Sequence, residues 1–212
     1  MKKAILWDND GVLVDTEHLY YQATREVLAP AGVDLTEDLY RELLLVQAKG
    51  AWHLAAEQGV SGDEIATLKQ ARNARYAELL ETEPILLPES YETLRALHGR
   101  FRMGIVTSSR RDHFEIIHRR TGMLDLVEFT VASGDYTRSK PDPEPYMVAL
   151  ERLGLPAADC VVVEDSLRGL TAARAAGIDC YVVPTPLTRD SDFTGAVKVL
   201  SRVPEIIGEL TA

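Results

Sequence analysis

The chain has 212 residues, of which 46% are hydrophobic and 26% charged, and its formal net charge is −10 at pH 7. This size and composition fit one domain, or a core domain with an insertion, with enough apolar residues for a sizeable core. The negative charge argues against general binding to nucleic acid or to an anionic membrane surface, and no apolar run is long enough to span a bilayer.

Five short apolar runs alternate along the chain with stretches of helical periodicity. The runs "KAILWD", "RMGIVTS", "EFTVAS", "CVVVED" and "CYVVP" predict strands that begin near residues 3, 102, 128, 160 and 180. Between the later runs, "RDHFEIIHRRTG", "DPEPYMVALERLGL" and "SLRGLTAARAAG" predict helices. Strands that are apolar throughout and alternate with helices indicate a parallel sheet covered on both faces. We therefore predict a doubly wound α/β fold.

The segment after the first strand departs from this alternation. Residues 16–84 contain helical patterns and no convincing strand; Gly32, Gly50 and Gly59 interrupt these patterns, and Pro84 closes the segment. We therefore predict a small α-helical domain over residues 16–84. It is inserted into a Rossmann-like core formed by residues 1–15 and 85–212.

Polar side chains follow four of the predicted strands at or shortly beyond their carboxyl ends. In chain order they are Asp8 and Asp10; Thr107, Ser108 and Ser109; Lys140; and Glu164, Asp165 and Ser166. Because ligands of doubly wound sheets bind outside the carboxyl ends of the strands, we expect these side chains to share a site. Each group alone would fit a turn or a helix cap. That explanation, however, requires four coincidences at four strand ends.

The predicted site carries an excess of negative charge. Its carboxylates outnumber the one lysine, Lys140, so the site needs a bound cation to balance them. A hard divalent ion with oxygen ligands meets this need, and Mg²⁺ suits a site that combines few carboxylates with a substrate phosphate. We therefore predict Mg²⁺ as the cofactor.

Four sequence motifs resemble those of the haloacid dehalogenase-like superfamily. The segments "DNDGVLVDTE", "VTSS", "KPDPEPY" and "VVVEDSLRGL" occur in the order and at the spacing of its four motifs, over nearly the whole chain. The match is closest to the sugar phosphatases and β-phosphoglucomutases, which carry a small helical cap after the first strand. The resemblance implies a Mg²⁺-dependent phosphatase that acts on a small phosphorylated metabolite, and a sugar phosphate is the expected substrate.

The resemblance also implies roles in phosphoryl transfer. Asp8 would be the nucleophile that forms an aspartyl phosphate. Asp10 would protonate the leaving alcohol and then activate water for the second step. Thr107 and the backbone amide of Ser108 would hold phosphoryl oxygens, and Lys140 would bridge the phosphate and the nucleophile.

The same resemblance implies a set of metal ligands. Asp165 would bind Mg²⁺ directly, beside Asp8 and the backbone carbonyl of Asp10. Glu164 would assist through water or hydrogen bonds. This assignment gives the two aspartates of "DND" different tasks, because contact with a metal favours ionised Asp8 while Asp10 can hold a proton.

A β-phosphoglucomutase-type mutase remains the main alternative activity. Those enzymes carry a histidine near the cap hinge and an arginine just past the cap glycine, where this chain has Tyr20 and His53. Arg72 stands where the mutases have a lysine. These departures favour hydrolysis, in which water rather than a second sugar hydroxyl accepts the phosphoryl group.

Other readings fit the sequence less well. True dehalogenases of the superfamily lack the second aspartate, so Asp10 argues against dehalogenation. Phosphonate-cleaving relatives use a cap lysine as a Schiff base, but Lys49 is better explained as a solvated lysine at a helix end. A receiver-like module that accepts phosphate without catalysis would have its nucleophile in mid-sequence and no helical insertion. A nucleotide-binding protein would carry G-x-G-x-x-G after the first strand.

Substrate selection is expected to rest with the helical insertion, because the core motifs contact only phosphate and metal. The candidates there are Glu17, Lys49, Trp52, His53 and Arg72. Trp52 fits packing inside the insertion equally well.

Some polar residues receive no catalytic role. The histidines in helical patterns lack ligand spacing; they are His18, His98, His113 and His118. Asn9 is unusual because the superfamily places an apolar residue between the two aspartates. We expect its side chain to turn away from them and to form local hydrogen bonds, and its backbone amide to serve the site.

The cysteine count and the N-terminus bear on the compartment. Cys160 and Cys180 are too few for a disulfide framework and each begins an apolar run, so we expect buried thiols in a reducing environment. The apolar stretch after "MKK" ends at Asp8 and is too short for a signal peptide. We expect a cytoplasmic monomer with a small-molecule substrate and no nucleic acid or membrane partner.

Overall fold

The computed structural model of the protein describes residues 1–47 and 49–211 and contains a six-stranded sheet. The strands are β1 Ala4–Trp7, β2 Arg102–Arg110, β3 Phe129–Ser133, β4 Cys160–Glu164, β5 Asp179–Val182 and β6 Lys198–Val199. The first five begin within one residue of the predicted starts. The prediction missed β6, because a strand of two exposed residues leaves no apolar pattern.

The order of the strands determines where a ligand can bind. It is β3-β2-β1-β4-β5-β6, and every neighbouring pair is parallel. From β1 the strand order runs outward to β2 and β3 on one side and to β4, β5 and β6 on the other. The switch between β1 and β4 opens a crevice at their carboxyl ends. The predicted doubly wound α/β fold is therefore confirmed. Trp7 pairs with Val163, so the residues that follow both strands meet at this crevice.

The structure gives definite ends to the α-helices that the sequence indicated, and it adds two helices, Pro88–Leu97 and Glu205–Thr211, which were not predicted. They are α1 Glu17–Leu28, α2 Glu37–Tyr40, α3 Trp52–Glu57, α4 Gly62–Thr82, α5 Pro88–Leu97, α6 Arg111–His118, α7 Glu144–Leu153, α8 Leu167–Ala175 and α9 Glu205–Thr211. In the described ranges, none of them combines the length and the hydropathy needed to cross a membrane.

Two apolar cores cover the two faces of the sheet. Side chains alternate along β1, so Ile5 and Trp7 pack on one face with residues of α5, α6 and α9. Ala4 and Leu6 pack on the other face with residues of α7 and α8. All four of these β1 side chains are fully buried. The continuous apolar run of this strand follows from its burial on both faces.

The contacts divide the chain into two compact units. One consists of residues 1–15 and 85–212, and the other of residues 16–84. In the helical unit α1 packs along α4, and a π-helical turn over Arg41–Val46 follows α2. Helix α4 begins at a capping box, in which Ser61 and Glu64 each bind the other's backbone N–H. No strand occurs among the described residues of this unit.

The two cysteines lie on neighbouring strands of the sheet. Cys160 begins β4 and Cys180 lies in β5, and both are buried free thiols. The expectation of buried thiols is therefore confirmed. Burial raises the pKa of each thiol, which keeps both in the neutral form.

Candidate active site

A buried ion-pair network lies at the carboxyl ends of β1 and β4. Lys140 Nζ lies 2.6 Å from Asp8 Oδ1 and 2.6 Å from Glu164 Oε1, and it donates to the Val106 carbonyl at 2.8 Å. The exposed fractions of Asp8, Lys140 and Glu164 are 8%, 5% and 0%. Tyr146 adds a hydrogen bond from its hydroxyl to Glu164 Oε1 at 2.7 Å. One buried cation therefore links the carboxylates of two separate motifs.

The network gives its members different proton affinities. Burial and then repulsion from Glu164 raise the pKa of Asp8 from 3.8 to about 7, although Lys140 opposes this shift. Burial would lower the pKa of Lys140, but the two carboxylates outweigh it and hold the pKa above its ordinary value. For Glu164, burial is outweighed by Lys140 and by hydrogen bonds from Tyr146 and Ser166, so its pKa lies below the ordinary value. The lysine and Glu164 are therefore charged at neutral pH, and Asp8 titrates there.

Three buried carboxylates could hold a metal ion. Oxygens of Asp8, Glu164 and Asp165 all lie within 4.8 Å of one another. With all three ionised, Lys140 leaves an excess of two negative charges in a buried space. Oxygen donors with this excess of negative charge suit a hard divalent cation such as Mg²⁺. The residues present therefore fit the predicted cofactor. The carboxylate of Asp10 is not part of this cluster.

Asp10 is oriented by hydroxyl groups at the end of β2. Its Oδ2 accepts hydrogen bonds from Thr107 Oγ1 at 3.1 Å and from Ser109 Oγ at 2.7 Å. The Ser109 N–H donates in turn to Thr107 Oγ1 at 2.9 Å. Ser108 Oγ accepts from Ser139 Oγ at 2.9 Å. The structure thus brings Thr107 beside Asp10 and Ser108 beside Ser139, and it adds a contact with Asp10 from Ser109, which had received no role.

The start of α8 wraps around the Glu164 carboxylate. Ser166 caps the helix by accepting from the Gly169 N–H at 3.2 Å, and its Oγ donates to Glu164 Oε2 at 3.0 Å. A Cβ at Gly169 would lie 1.8 Å from Glu164 Cδ, so only glycine leaves room for the carboxylate. Gly11 plays a similar part for Asp165, because its φ is +85° and a Cβ there would lie 2.5 Å from Asp165 Oδ2.

Several residues of the site were missed in the sequence. Tyr146 lies inside the motif "KPDPEPY", and Ser166 and Gly169 lie inside "VVVEDSLRGL", but none of the three received a role. Each contacts Glu164 or would collide with it. The tyrosine that ends this motif was the available signal, because a tyrosine hydroxyl that becomes buried, as Tyr146 does, needs a polar partner.

The prediction that the Asn9 side chain forms local hydrogen bonds was wrong, although the side chain does turn away from the two aspartates. Its Oδ1 lies 2.7 Å from Nε2 of His118, which is 109 residues away in the chain, so the bond is not local. His118 was among the histidines without an assigned role. It is 5% exposed and ends α6. The physical reason is the direction of the side chain, which leaves β1 on the face covered by α6.

In the helical unit the structure brings together two of the predicted selectivity residues. The Arg72 guanidinium carbon lies 4.3 Å from the ring centroid of Tyr20 and 5.4 Å from that of Trp52. Lys69 Nζ lies 5.8 Å from the Trp52 ring, and Tyr20 meets Tyr76 edge to face at 5.1 Å. These are cation–π and aromatic contacts that hold the side chains in defined positions.

The other three predicted selectivity residues do not join this group of rings and cations. Glu17 accepts a hydrogen bond from the Tyr40 hydroxyl. His53 Nδ1 lies 3.0 Å from the Gly50 carbonyl, one turn back in the chain. Lys49 is exposed.

Comparison with known proteins places the chain among characterised hydrolases. The family model for the haloacid dehalogenase-like hydrolases matches residues 2–177. CbbY of Rhodobacter capsulatus is 35% identical over 207 residues, which is 92% of this chain and 90% of that protein. The phosphorylated carbohydrates phosphatase of Thermotoga maritima is 34% identical over 185 residues, 84% of this chain and 82% of that one. A mutant CbbY from Rhodobacter sphaeroides, solved with xylulose-(1,5)bisphosphate, is 31% identical and has a TM-score of 0.82, covering 97% of this chain and 96% of that chain.

We predict that Gly169→Ala destabilises the protein while Gly208→Ala does not. The methyl group at position 169 would collide with the Glu164 carboxylate, and such overpacking costs about 1–3 kcal/mol of unfolding free energy. At Gly208, in α9, a Cβ would meet nothing within 4 Å, so alanine should stabilise the helix by about 0.5–1 kcal/mol. Urea unfolding of both variants measures the difference. Equal stabilities would contradict the close approach.

We also predict a pH-dependent stability for Asp8→Asn in the presence of EDTA. The pKa of Asp8 is raised from 3.8 to about 7, so this carboxyl destabilises the metal-free fold once it must ionise. Its favourable contribution is complete below pH 3.8 and is lost as the pH rises through 7. The melting temperature of the wild-type protein should therefore fall relative to the variant between pH 4 and pH 7. Parallel curves would show that Asp8 keeps an ordinary pKa.

Proposed function

The chain belongs to the haloacid dehalogenase-like hydrolase family, and from this membership we propose that it is a Mg²⁺-dependent phosphatase of a small phosphorylated metabolite, with a sugar phosphate as the substrate class. It is an enzyme of the phosphoric monoester hydrolase type found in that family. One observation carries the finer proposal. Lys140 pairs with Asp8 and Glu164 in a buried network beside Asp165, at the crevice where ligands of such sheets bind.

We propose that the first step transfers the phosphoryl group to Asp8. An Asp8 oxygen attacks phosphorus, the bond from phosphorus to the leaving oxygen breaks, and Asp10 gives its proton to that oxygen. Lys140 lies beside the attacking carboxylate and balances negative charge there. Asp8, Asp165 and the Asp10 carbonyl would hold Mg²⁺, with help from Glu164, and the bound ion stabilises negative charge on the phosphoryl oxygens.

In the second step the aspartyl phosphate is hydrolysed. Asp10, now ionised, takes a proton from a water molecule that attacks phosphorus, and inorganic phosphate leaves as Asp8 is restored. Thr107 and the Ser108 amide would hold phosphoryl oxygens. In the structure, the Thr107 hydroxyl donates its single hydrogen bond to Asp10. Donation to a phosphate would leave Ser109 as the remaining hydroxyl of this pair on Asp10.

The helical unit supports hydrolysis over phosphosugar mutation. At the position where the mutases carry a histidine, the Tyr20 ring contacts the Arg72 guanidinium and the Tyr76 ring. His53, in the place of the mutase arginine, is exposed and lies on the carbonyl of Gly50. Neither residue reproduces the mutase set. Membership of a hydrolase family also leaves no support for a non-catalytic receiver-like module.

That the helical unit selects the substrate stays a prediction. Trp52 and Arg72 combine an apolar face with a cation, a composition that suits a phosphorylated sugar, and Glu17, Lys49 and His53 remain candidates. The monomeric state and the cytoplasmic location of the protein likewise remain predictions from the sequence.

We predict that the purified protein releases phosphate from p-nitrophenyl phosphate with Mg²⁺ and that EDTA abolishes this release. Asp8→Asn should lower kcat on the order of 10³-fold or more, because the nucleophile is lost. Asp125→Asn removes an exposed carboxylate and serves as the charge-matched control, with unchanged activity. Colour release that ignores EDTA, or that persists in Asp8→Asn, would contradict the mechanism.

We further predict that glucose 1-phosphate with a bisphosphate primer yields inorganic phosphate or no product, and not glucose 6-phosphate. A coupled dehydrogenase assay detects the 6-phosphate, and a phosphate assay on the same sample detects hydrolysis. Efficient interconversion would make the protein a mutase. A panel of sugar monophosphates and bisphosphates, compared by kcat/KM, would then identify the preferred substrate class.

A further inference from the structure

Asn9 lies between the two aspartates but points to the other face of the sheet. Asp8 reaches Lys140, just before α7, whereas Asn9 reaches His118, the last residue of α6. Helices α7 and α6 contribute to the two opposite cores. The side chain of Asn9 is fully buried, so its contact with His118 takes place away from solvent.

A chain of hydrogen bonds holds the His118 ring from both sides. The Met123 N–H donates to Thr121 Oγ1 at 3.2 Å, Thr121 Oγ1 lies 2.9 Å from His118 Nδ1, and His118 Nε2 lies 2.7 Å from Asn9 Oδ1. The amide oxygen can only accept, so Nε2 carries the proton and Nδ1 accepts from the threonine hydroxyl. Burial lowers the pKa of His118 to about 4, which keeps the ring neutral and this direction fixed.

The pairing of Asn9 with His118 is not the most stable way to fill this buried space. Among the described residues the Asn9 Nδ2 has no hydrogen-bond partner. A buried unsatisfied donor lowers the stability of the fold, and apolar side chains in place of both Asn9 and His118 would avoid this cost. The interaction that the Asn9 side chain does make is the bond from His118.

One continuous segment, residues 107–118, contacts both Asn9 and Asp10. Thr107 and Ser109 at the end of β2 bind the Asp10 carboxylate, and α6 follows directly and carries His118 to Asn9. Residues 107–118 therefore contact the segment after β1 at two points, the Asp10 carboxylate and the Asn9 side chain. The Asn9 carbonyl is held as well, because it accepts from the N–H groups of Leu13 and Val14 at 2.8 and 3.2 Å.

We propose that Asn9, His118 and Thr121 are positioning residues, which fix the backbone between Asp8 and Asp10 so that both carboxylates face the transferred phosphoryl group. This inference rests on the proposed function, in which Asp8 attacks phosphorus and Asp10 protonates the leaving oxygen. The two aspartates share the Asn9 backbone, so a rotation there misplaces both. A misplacement of about 1 Å can cost about 100-fold in rate.

The test separates positioning from stability with a pair of apolar replacements. Asn9→Leu and His118→Phe should each lower the melting temperature, because each leaves or creates an unmatched polar group. The double variant removes both partners and should recover the wild-type melting temperature. Its kcat for p-nitrophenyl phosphate should nevertheless stay about 10- to 100-fold low with KM little changed, because the backbone is no longer held.

Two further variants complete the design. His118→Gln keeps an N–H donor at the reach of Nε2 and should have a kcat well above that of His118→Phe. Ile117→Ala, at the neighbouring buried position of α6, should lower the melting temperature without lowering kcat.

The outcomes distinguish this inference from the proposed function. A double variant with both wild-type stability and wild-type kcat would overturn the positioning role, and so would equal kcat values for His118→Gln and His118→Phe. In either case the wild-type protein would remain a phosphatase. A wild-type protein without Mg²⁺-dependent phosphate release would overturn the proposed function, and the inference that rests on it.

Discussion

The burial of Lys140 between two carboxylates is the interaction on which the site depends. Without this cation, Asp8 and Glu164 would be neighbouring charges in a largely buried space, and burial of unpaired charge is strongly unfavourable. The rest of the site accommodates the pair. Tyr146 and Ser166 satisfy Glu164, and Gly169 leaves the volume that its carboxylate needs. The lysine does not neutralise the cluster completely, and the remaining charge is what a divalent cation would balance.

The strand order turns four distant sequence motifs into one site. Strands β1 and β4 are neighbours at the point where the strand order changes direction. Asp8 and Glu164 therefore meet, although 155 other residues separate them in the chain. Strand β2 lies on the other side of β1 and supplies the hydroxyls that orient Asp10. The two aspartates of one short segment thus receive different surroundings, one among carboxylates and a lysine, the other among hydroxyls. Different surroundings are what different roles in acid–base chemistry require.

The sequence predicted those parts of the structure that local pattern determines. Strands buried on both faces are continuous apolar runs, so β1 to β5 could be located closely, whereas two-residue β6 leaves no such trace. Asp8, Asp10, Lys140, Glu164 and Asp165 could be proposed because they follow strands at one edge of a sheet. The partners that hold them depend on packing between distant elements. Ser109 resembles any helix-start serine, and no periodicity indicates that His118 meets Asn9 across 109 residues.

Helix α6 restricts the number of residues in this part of the chain as well as their chemistry. The length of the segment from Ser109 to His118 must match the distance between two contacts, because one end binds Asp10 and the other binds Asn9. An α-helix advances about 1.5 Å and turns about 100° with each residue. One inserted or deleted residue within Arg111–His118 would therefore swing the imidazole away from β1. The number of residues in this helix is thus tied to the spacing of two carboxylates that it does not itself carry.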